Sequence, residues 1–132
     1  MTAKEIAREL NVPGENHHNC CQSVYAAMCA SYLDRKVEDC LDVGACFGGG
    51  LLCGEACGAL VGGLMYIGSK MGLSEETVEI GQKYIEGFKA QNGGYMHCRE
   101  LVNPEDENRA EICSGIIENA IDFLEKNVEK SI

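Results

Sequence analysis

Apolar side chains recur every three or four positions along most of this chain, which is the spacing of one face of an α-helix. The predicted helices span about 2–10, 18–33, 53–71, 75–92 and a last segment that begins near Asn103 and Pro104. A short helical stretch is predicted at about 37–45, and a short segment holds residues 98–101. No alternation of apolar and polar residues runs for a length that is typical of a strand. We therefore expect an all-α fold in which residues 1–132 form a single compact bundle of about five helices.

Glycine is concentrated in two places. Gly54, Gly58 and Gly62 recur every four residues and would share one face of a predicted helix. Each glycine in a helix interior costs about 1 kcal/mol relative to alanine, so a compensating interaction is needed. Either another helix approaches this face closely, or a bound group lies against the bare backbone near Cys57. The run Gly48-Gly49-Gly50 likewise indicates a backbone that bends sharply or is closely approached.

The composition excludes several classes of protein. Hydrophobic residues make up 45 % of the chain, which is enough for a buried core and is not typical of a disordered protein. The chain carries 21 acidic and 11 Lys or Arg side chains, a net charge of −10 that repels phosphate backbones and anionic membranes. With no Trp, three Phe and five Tyr, it also lacks material for a base-stacking surface. We expect neither nucleic acid nor membrane as a partner.

The cellular compartment decides how the nine cysteines are interpreted. Residues 1–10 carry no apolar run of the signal-peptide type. The longest nearly apolar run, residues 56–68, falls short of the roughly 20 residues that span a bilayer. We therefore expect a cytoplasmic protein, in which structural disulfides are rare and cysteines more often bind metal or react. An odd number of cysteines also prevents complete pairing within one chain.

Two pairs of cysteines leave the choice of functional thiol open. Cys53 and Cys57 are four residues apart in a predicted helix, so both thiols would lie on one face and could bind a metal or form a redox pair. Cys20 and Cys21 are adjacent near a predicted helix N-terminus, where the helix dipole lowers the pKa of a thiol. Adjacent helical residues point about 100° apart, so we expect only one of these two to face a site.

The remaining cysteines divide into two groups. Cys98 and Cys113 come from separate segments, and thiolates from several segments of a helical bundle can converge on one site. The other three lie among apolar residues and are interpreted as small core residues: Cys29, Cys40 and Cys46. On its own, Cys113 would be interpreted as a core residue too, because it shares an apolar side of its helix.

The histidines and the known sequence motifs add little evidence about function. His17, His18 and His97 are interpreted as solvated or capping residues more readily than as metal ligands. The cysteine and histidine spacings match no zinc-finger pattern, since paired CxxC modules are missing. The sequence also lacks a P-loop, a nucleophile elbow and the HExxH zinc motif.

Taken together, five segments resemble the C_GCAxxG_C_C family of redox-active proteins, over about residues 18–125. The segments are Asn19-Cys20-Cys21-Gln22-Ser23-Val24, Phe47-Gly48-Gly49-Gly50, Gly54-Glu55-Ala56-Cys57-Gly58-Ala59 with Gly62-Gly63-Leu64-Met65, Cys98-Arg99-Glu100-Leu101, and Cys113. This family is similar to the cluster-bearing region of split-Soret cytochrome c, whose cysteines hold an iron–sulfur centre. The CxxCH motif for covalent haem is missing from this chain, so the resemblance does not imply a c-type haem.

The resemblance implies a set of ligands and a cofactor. The family's four cysteines correspond here to Cys20, Cys57, Cys98 and Cys113, which would bind an iron–sulfur cluster, expected to be 2Fe–2S. Cys21 and Cys53 are extra cysteines, and each could replace a neighbouring ligand. Three glycines would approach the cofactor with their backbones: Gly48, Gly49 and Gly58.

The expected function is electron transfer with an unknown partner protein, and the acidic surface favours a basic one. Two alternatives stay open. In a thiol–disulfide oxidoreductase, Cys20 or Cys57 would be the nucleophile; in a structural metalloprotein, the thiolates would bind zinc. The apolar glycine-rich helix face could also form the seam of a homodimer.

Overall fold

A computed structural model describes residues 1–103 and 105–129. Its α-helices are α1 (Ala3–Leu10), α2 (Cys20–Tyr32), α3 (Gly58–Met71), α4 (Glu75–Gln91), α5 (Cys98–Leu101) and α6 (Arg109–Leu124). Five of these helices have eight residues or more, and the described part of the chain forms no β-strand beyond one isolated bridge. The expected all-α class is confirmed. None of the described helices is long and apolar enough to cross a membrane.

The first two helices begin at capping boxes. The Thr2 hydroxyl accepts the backbone N–H of Glu5, whose carboxylate accepts the N–H of Thr2 in return. Asn19 and Gln22 make the same reciprocal pair at the start of α2. Because this cap fixes the first residue of α2, it places Cys20 in the opening turn of that helix.

Helix α2 is the centre of the molecule. Eight of its 13 residues are buried, so the helix is covered on nearly all sides, as expected for a core helix. Helix α3 packs along it, and α1 and α6 also contact it. The fully buried Val24 and Met28 of α2 join Tyr66 and Ile67 of α3 in the core cluster.

The glycines at the α2–α3 contact explain how closely the two helices approach. A Cβ built on Gly58 would lie 2.9 Å from the Cys21 backbone nitrogen, and one on Gly62 would lie 2.6 Å from the Cys21 carbonyl oxygen. Both positions are closed to larger residues, as the sequence predicted. The neighbour is α2 of the same chain, so close packing accounts for these two glycines and this part of the glycine face is already covered.

The predicted 53–71 helix is wrong at its beginning. Backbone φ is positive at Gly49, Gly50, Leu51 and Leu52 and again at Gly54, and α3 begins only at Gly58. Directly before α3, an antiparallel bridge pairs Ala56 with His97. Cys53 and Cys57 therefore do not share a helix face, and Gly54 is not part of a helical glycine stripe.

Two other boundaries differ from prediction. The stretch at 37–45 forms two short 3₁₀ turns, Val37–Cys40 and Asp42–Gly44. Helix α6 begins at Arg109 and not near Asn103; Pro104 lies outside the described residues. The side chains of Asn103 and Asp106 each accept a backbone N–H two residues further on, which stabilises turns in competition with a helix.

Candidate functional site

Two of the four candidate cysteines are brought together by backbone pairing. The Cys57 N–H donates to the Met96 carbonyl at 2.8 Å, and the Cys98 N–H donates to the Glu55 carbonyl at 2.7 Å. These bonds flank the Ala56–His97 bridge. Two cysteines that are 41 residues apart in sequence therefore lie side by side, at the start of α3 and the start of α5.

The other two come from α2 and α6. The thiols of Cys20 and Cys113 are in hydrogen-bonding contact, and both interact electrostatically with Cys57. Cys98 interacts with all three of the others. All six pairs among these four thiols are thus close enough to interact, although they belong to four segments. We call this group the cysteine cluster: Cys20, Cys57, Cys98 and Cys113.

Burial and the α3 N-terminus act in opposite directions on Cys57. Burial, with smaller contributions from the neighbouring Cys98 and Cys113 thiols, raises the pKa of this thiol to about 11. The backbone N–H groups of Ala59 and Leu60 oppose this, because they stabilise negative charge on the sulfur. A positive ion or metal centre next to Cys57 would relieve the burial penalty of its thiolate.

Cys20 and Cys113 form an asymmetric pair. The hydrogen bond from the Cys20 thiol, helped by the positive charge of Arg109, lowers the pKa of Cys113 to about 7. The same hydrogen bond, together with burial, raises the pKa of Cys20 well above its usual value. Cys113 is therefore the thiol of this pair that ionises first as pH rises.

Arg109 is a residue that sequence reasoning missed. It lowers the pKa of Cys113 and opposes the rise in the pKa of Cys98, so its charge acts on two thiols of the cluster. It lies four residues before Cys113, one helical turn away on α6. That spacing was the available signal, but it has meaning only once residue 113 is known to face a site.

A cavity of about 450 Å³ opens beside the cluster. Three of the four thiols line it, whereas the more deeply buried Cys57 does not. The residues that line it are Asn11, Pro13, Gly14, His17, Asn19, Cys20, Gly49, Cys98, Val102, Arg109, Ala110 and Cys113. The cluster is thus accessible through this cavity.

The predicted glycines surround this site. Gly49, with φ of 60°, lines the cavity, and a Cβ on Gly48 would meet the Asn19 side chain at 3.1 Å. A Cβ on Gly58 would lie 3.3 Å from the Cys20 Cβ. The close approach predicted for this run is confirmed at Gly50, where φ is 69° and a Cβ would lie 2.6 Å from the Cys98 Cβ. The glycine loop, residues 47–54, therefore lies directly against the cysteines.

The two alternative ligands lie apart from the cavity. Cys21 is buried, and its sulfur contacts the Met65 sulfur at 3.6 Å. Burial, with a smaller effect from Cys57, raises the pKa of the Cys21 thiol to about 12. Cys53 is exposed in the glycine loop, and its thiol contacts the Gly50 carbonyl at 3.7 Å. Neither residue lines the cavity that Cys20 reaches.

The expected core cysteines are found with one exception. Cys29 and Cys40 are buried in the core cluster, as predicted. The same prediction for Cys46 is wrong, because this residue is exposed. It follows the second 3₁₀ turn, where the chain runs over the surface toward the glycine loop, so its apolar sequence neighbours do not enclose it.

The histidines are held by other groups. The His97 ring lies 2.9 Å from a Glu100 carboxylate oxygen and 3.5 Å from Glu55. His17 lines the cavity, and its Nδ1 contacts the Val12 carbonyl at 3.2 Å. His18 has a buried Nδ1 without a hydrogen-bond partner in the described part of the chain, and nothing in the structure explains it. Within residues 1–103 and 105–129, no group of three or more His, Cys, Asp or Glu side chains is arranged to hold a single metal ion.

Comparison with protein families gives a match over most of the chain. The model of a family described as "Putative redox-active protein (C_GCAxxG_C_C)" matches residues 18–127. The chain belongs to this family. The matched span contains the whole cysteine cluster and the glycine loop, so the family's redox-active description applies to the part of the chain that builds the site. No curated protein and no solved structure matches the chain.

Proposed function

We propose that the cysteine cluster binds an iron–sulfur cluster, of the 2Fe–2S type, and that the protein transfers electrons to a partner protein. One observation carries this proposal: four thiols from four segments, each close enough to interact with the other three, beside a cavity that opens on one side. Four thiolates are the usual ligand set of such a cofactor.

The four thiols are chemically suitable ligands for an iron–sulfur cluster. A single zinc ion with Zn–S bonds of about 2.3 Å needs its four sulfurs within about 4 Å of each other. A 2Fe–2S cluster would be held by two thiolates on each of its two irons, so the four sulfurs need not all surround one ion. The described residues bring four thiols from separate segments close enough to interact, a donor set that either group could use. Zinc stays the alternative, and the experiment must distinguish bound zinc from an iron–sulfur cluster.

The chain's own residues would tune such a group. The N–H groups of Ala59 and Leu60 stabilise negative charge on the Cys57 sulfur, and Arg109 does so for Cys98 and Cys113. Hydrogen bonds and positive charge near ligand sulfurs favour the reduced state of an iron–sulfur centre, and burial favours the less charged one. When bound, the cluster would take up and release one electron.

The acidic surface supports a basic redox partner. At a net charge of −10, association with such a partner is faster at low salt and weakens as salt rises. The cavity beside Cys98 and Cys113 gives a route from the site to the surface.

A second candidate function rests on the Cys20–Cys113 contact. A thiol with a pKa of about 7, in hydrogen-bonding contact with a second thiol, is typical of a dithiol that exchanges with disulfides. Cys113 would attack a disulfide of the substrate and Cys20 would resolve the mixed disulfide. Both electrons would pass to the substrate disulfide as the Cys20–Cys113 disulfide forms.

The test is to purify the protein without oxygen, reconstitute it with iron and sulfide, and measure iron, acid-labile sulfide and zinc per chain. The proposal expects iron and sulfide in equal amounts, a visible charge-transfer spectrum, and bleaching on reduction by one electron per cluster. Stoichiometric zinc with no iron would support the structural metalloprotein. Absence of both metals, with one reversible Cys20–Cys113 disulfide, would support thiol exchange.

A further inference from the structure

The segment that follows α2 turns back along the same helix. Two backbone N–H groups, from Leu33 and Arg35, donate to the Cys29 carbonyl, and the intervening Asp34 has a φ of 53° that reverses the chain. The Gln22 amide then donates to the Leu41 carbonyl at 3.0 Å, and the Asn19 amide to the Gly44 carbonyl at 2.9 Å. Residues 37–44 are therefore tied antiparallel to α2.

This return brings a second pair of thiols together. Cys40, at the end of the first 3₁₀ turn, is 3 % exposed, and Cys29 of α2 is fully buried. The two side chains are in hydrogen-bonding contact, and the Tyr25 hydroxyl also contacts the Cys29 thiol. That hydroxyl is itself held by Ser69 at 3.0 Å and by Arg35 at 3.3 Å. The pair thus lies in the hydrophobic core, with the Tyr25 hydroxyl beside it.

The pair is separate from the cysteine cluster. Cys29 is nine residues after Cys20 on α2, which is about 13 Å along a helix axis. Neither Cys29 nor Cys40 lines the cavity, and the interacting thiols of the cluster are Cys20, Cys57, Cys98 and Cys113. Any chemistry at the second pair is therefore independent of what the cluster binds.

We propose that Cys29 and Cys40 form a second redox site, a dithiol that small disulfides such as oxidised glutathione convert into an intramolecular disulfide. The disulfide would link α2 to the 3₁₀ turn Val37–Cys40. Because the turn is the first part of the return segment, which two side-chain amides also bond to α2, the disulfide would attach this segment covalently to the core.

The exchange has a defined order. A one-turn 3₁₀ helix opens locally more readily than a central α-helix, so Cys40 is the thiol that a small disulfide reaches. The Cys40 thiolate attacks one sulfur of oxidised glutathione, forms a mixed disulfide and releases one glutathione thiolate. Cys29 loses its proton to solvent and attacks the Cys40 sulfur, which releases the second glutathione. Two electrons pass from the protein dithiol to glutathione disulfide, and the two released protons appear on two glutathione thiols.

The rate follows from the surroundings of Cys29. Burial, with the neighbouring Cys40 thiol, raises the pKa of Cys29 to about 11, whereas Tyr25 and Arg35 oppose that rise. The thiolate is scarce at neutral pH, so we expect oxidation over hours and faster oxidation at higher pH. This slow pair contrasts with Cys113, which the same buffer would modify quickly.

The experiment places the full chain, purified without oxygen, in glutathione buffers of graded oxidised-to-reduced ratio overnight. The protein is then acid-quenched, and its free thiols are alkylated under denaturing conditions. Digestion with trypsin and chymotrypsin cuts after Tyr25, Tyr32, Lys36 and Leu41, so Cys29 and Cys40 fall in separate peptides that contain no other cysteine. Mass spectrometry then identifies the linked peptides 26–32 and 37–41.

The proposal expects these linked peptides to rise with the oxidised fraction to one midpoint and to disappear on return to reduced buffer. Cys46→Ser, which removes an exposed thiol near Cys40, should leave the midpoint unchanged, and Cys40→Ser should leave Cys29 alkylated at every ratio. Full alkylation of both cysteines at all ratios would overturn the proposal. Linkage of either one to another cysteine, or glutathionylation without linkage, would also overturn it.

Discussion

Helix α2 carries a thiol at each of two sites, and the surroundings of these two thiols differ. At its N-terminus, Cys20 meets three thiols from other segments beside a cavity, with Arg109 and the start of α3 nearby. Nine residues later, Cys29 meets one other thiol, that of Cys40, inside the core. Access through the cavity distinguishes the first site, whereas burial dominates the second. The comparison indicates that neighbours and access, more than cysteine itself, decide which thiols can serve as ligands.

The largest expected effect is that of a substitution at the contact between α2 and α3, the helices that begin at Cys20 and directly after Cys57. Gly62→Leu places a side chain where a Cβ alone would lie 2.6 Å from the Cys21 carbonyl, so α2 and α3 must separate. We expect a loss of about 1–3 kcal/mol in the free energy of unfolding, measured by urea denaturation. Gly68→Ala, on the same helix with nothing within 4 Å of its Cβ, is the matched control. It should stabilise the protein by about 0.5–1 kcal/mol. Equal stability of the two variants would refute the close-approach argument.

Tyr84 of α4 tests how the first of the two sites is positioned. Its fully buried hydroxyl donates to the Ala59 carbonyl at 2.8 Å, and so it holds the first turn of α3, whose N–H groups face Cys57. Tyr84→Phe leaves that carbonyl unpaired, and we expect a loss of about 1–2 kcal/mol in the free energy of unfolding. In the reconstituted protein, the reduction potential should shift as well. Tyr95→Phe, at an exposed tyrosine, serves as the control; a shift of the same size in both variants would exclude a positioning role for Tyr84.

The smallest expected effect is electrostatic. Arg109 lowers the pKa of Cys113, so Arg109→Gln should raise that pKa and slow alkylation of Cys113 by iodoacetamide severalfold at pH 7 in the metal-free protein. A pH profile of the rate, read by peptide mapping, should move to higher pH. Arg99→Gln removes an exposed arginine that pairs with Glu55, and the Cys113 profile should not change. Identical profiles for both variants would remove Arg109 from the account of the site.

These sites also show what the sequence could and could not reveal. Periodicity indicated the long helices, because their apolar faces are local patterns, and it indicated that Gly58 and Gly62 are closely approached. The late start of α3 accompanies a bridge from Ala56 to His97, 41 residues away, which no local pattern encodes. For the same reason, the pairing of Cys29 with Cys40 and the charge of Arg109 beside Cys113 became visible only in the fold.

The most direct test of the central claim is iron per chain in single Cys→Ser variants of all nine cysteines, each reconstituted without oxygen beside the parent protein. Thermal unfolding checks that each variant is folded. The account predicts that iron and the visible spectrum are lost in four variants only, those of Cys20, Cys57, Cys98 and Cys113. Variants at the exposed Cys46 and Cys53 should match the parent, and those at Cys29 and Cys40 should lose only stability. Equal iron in all nine variants, or none in the parent, would contradict the account.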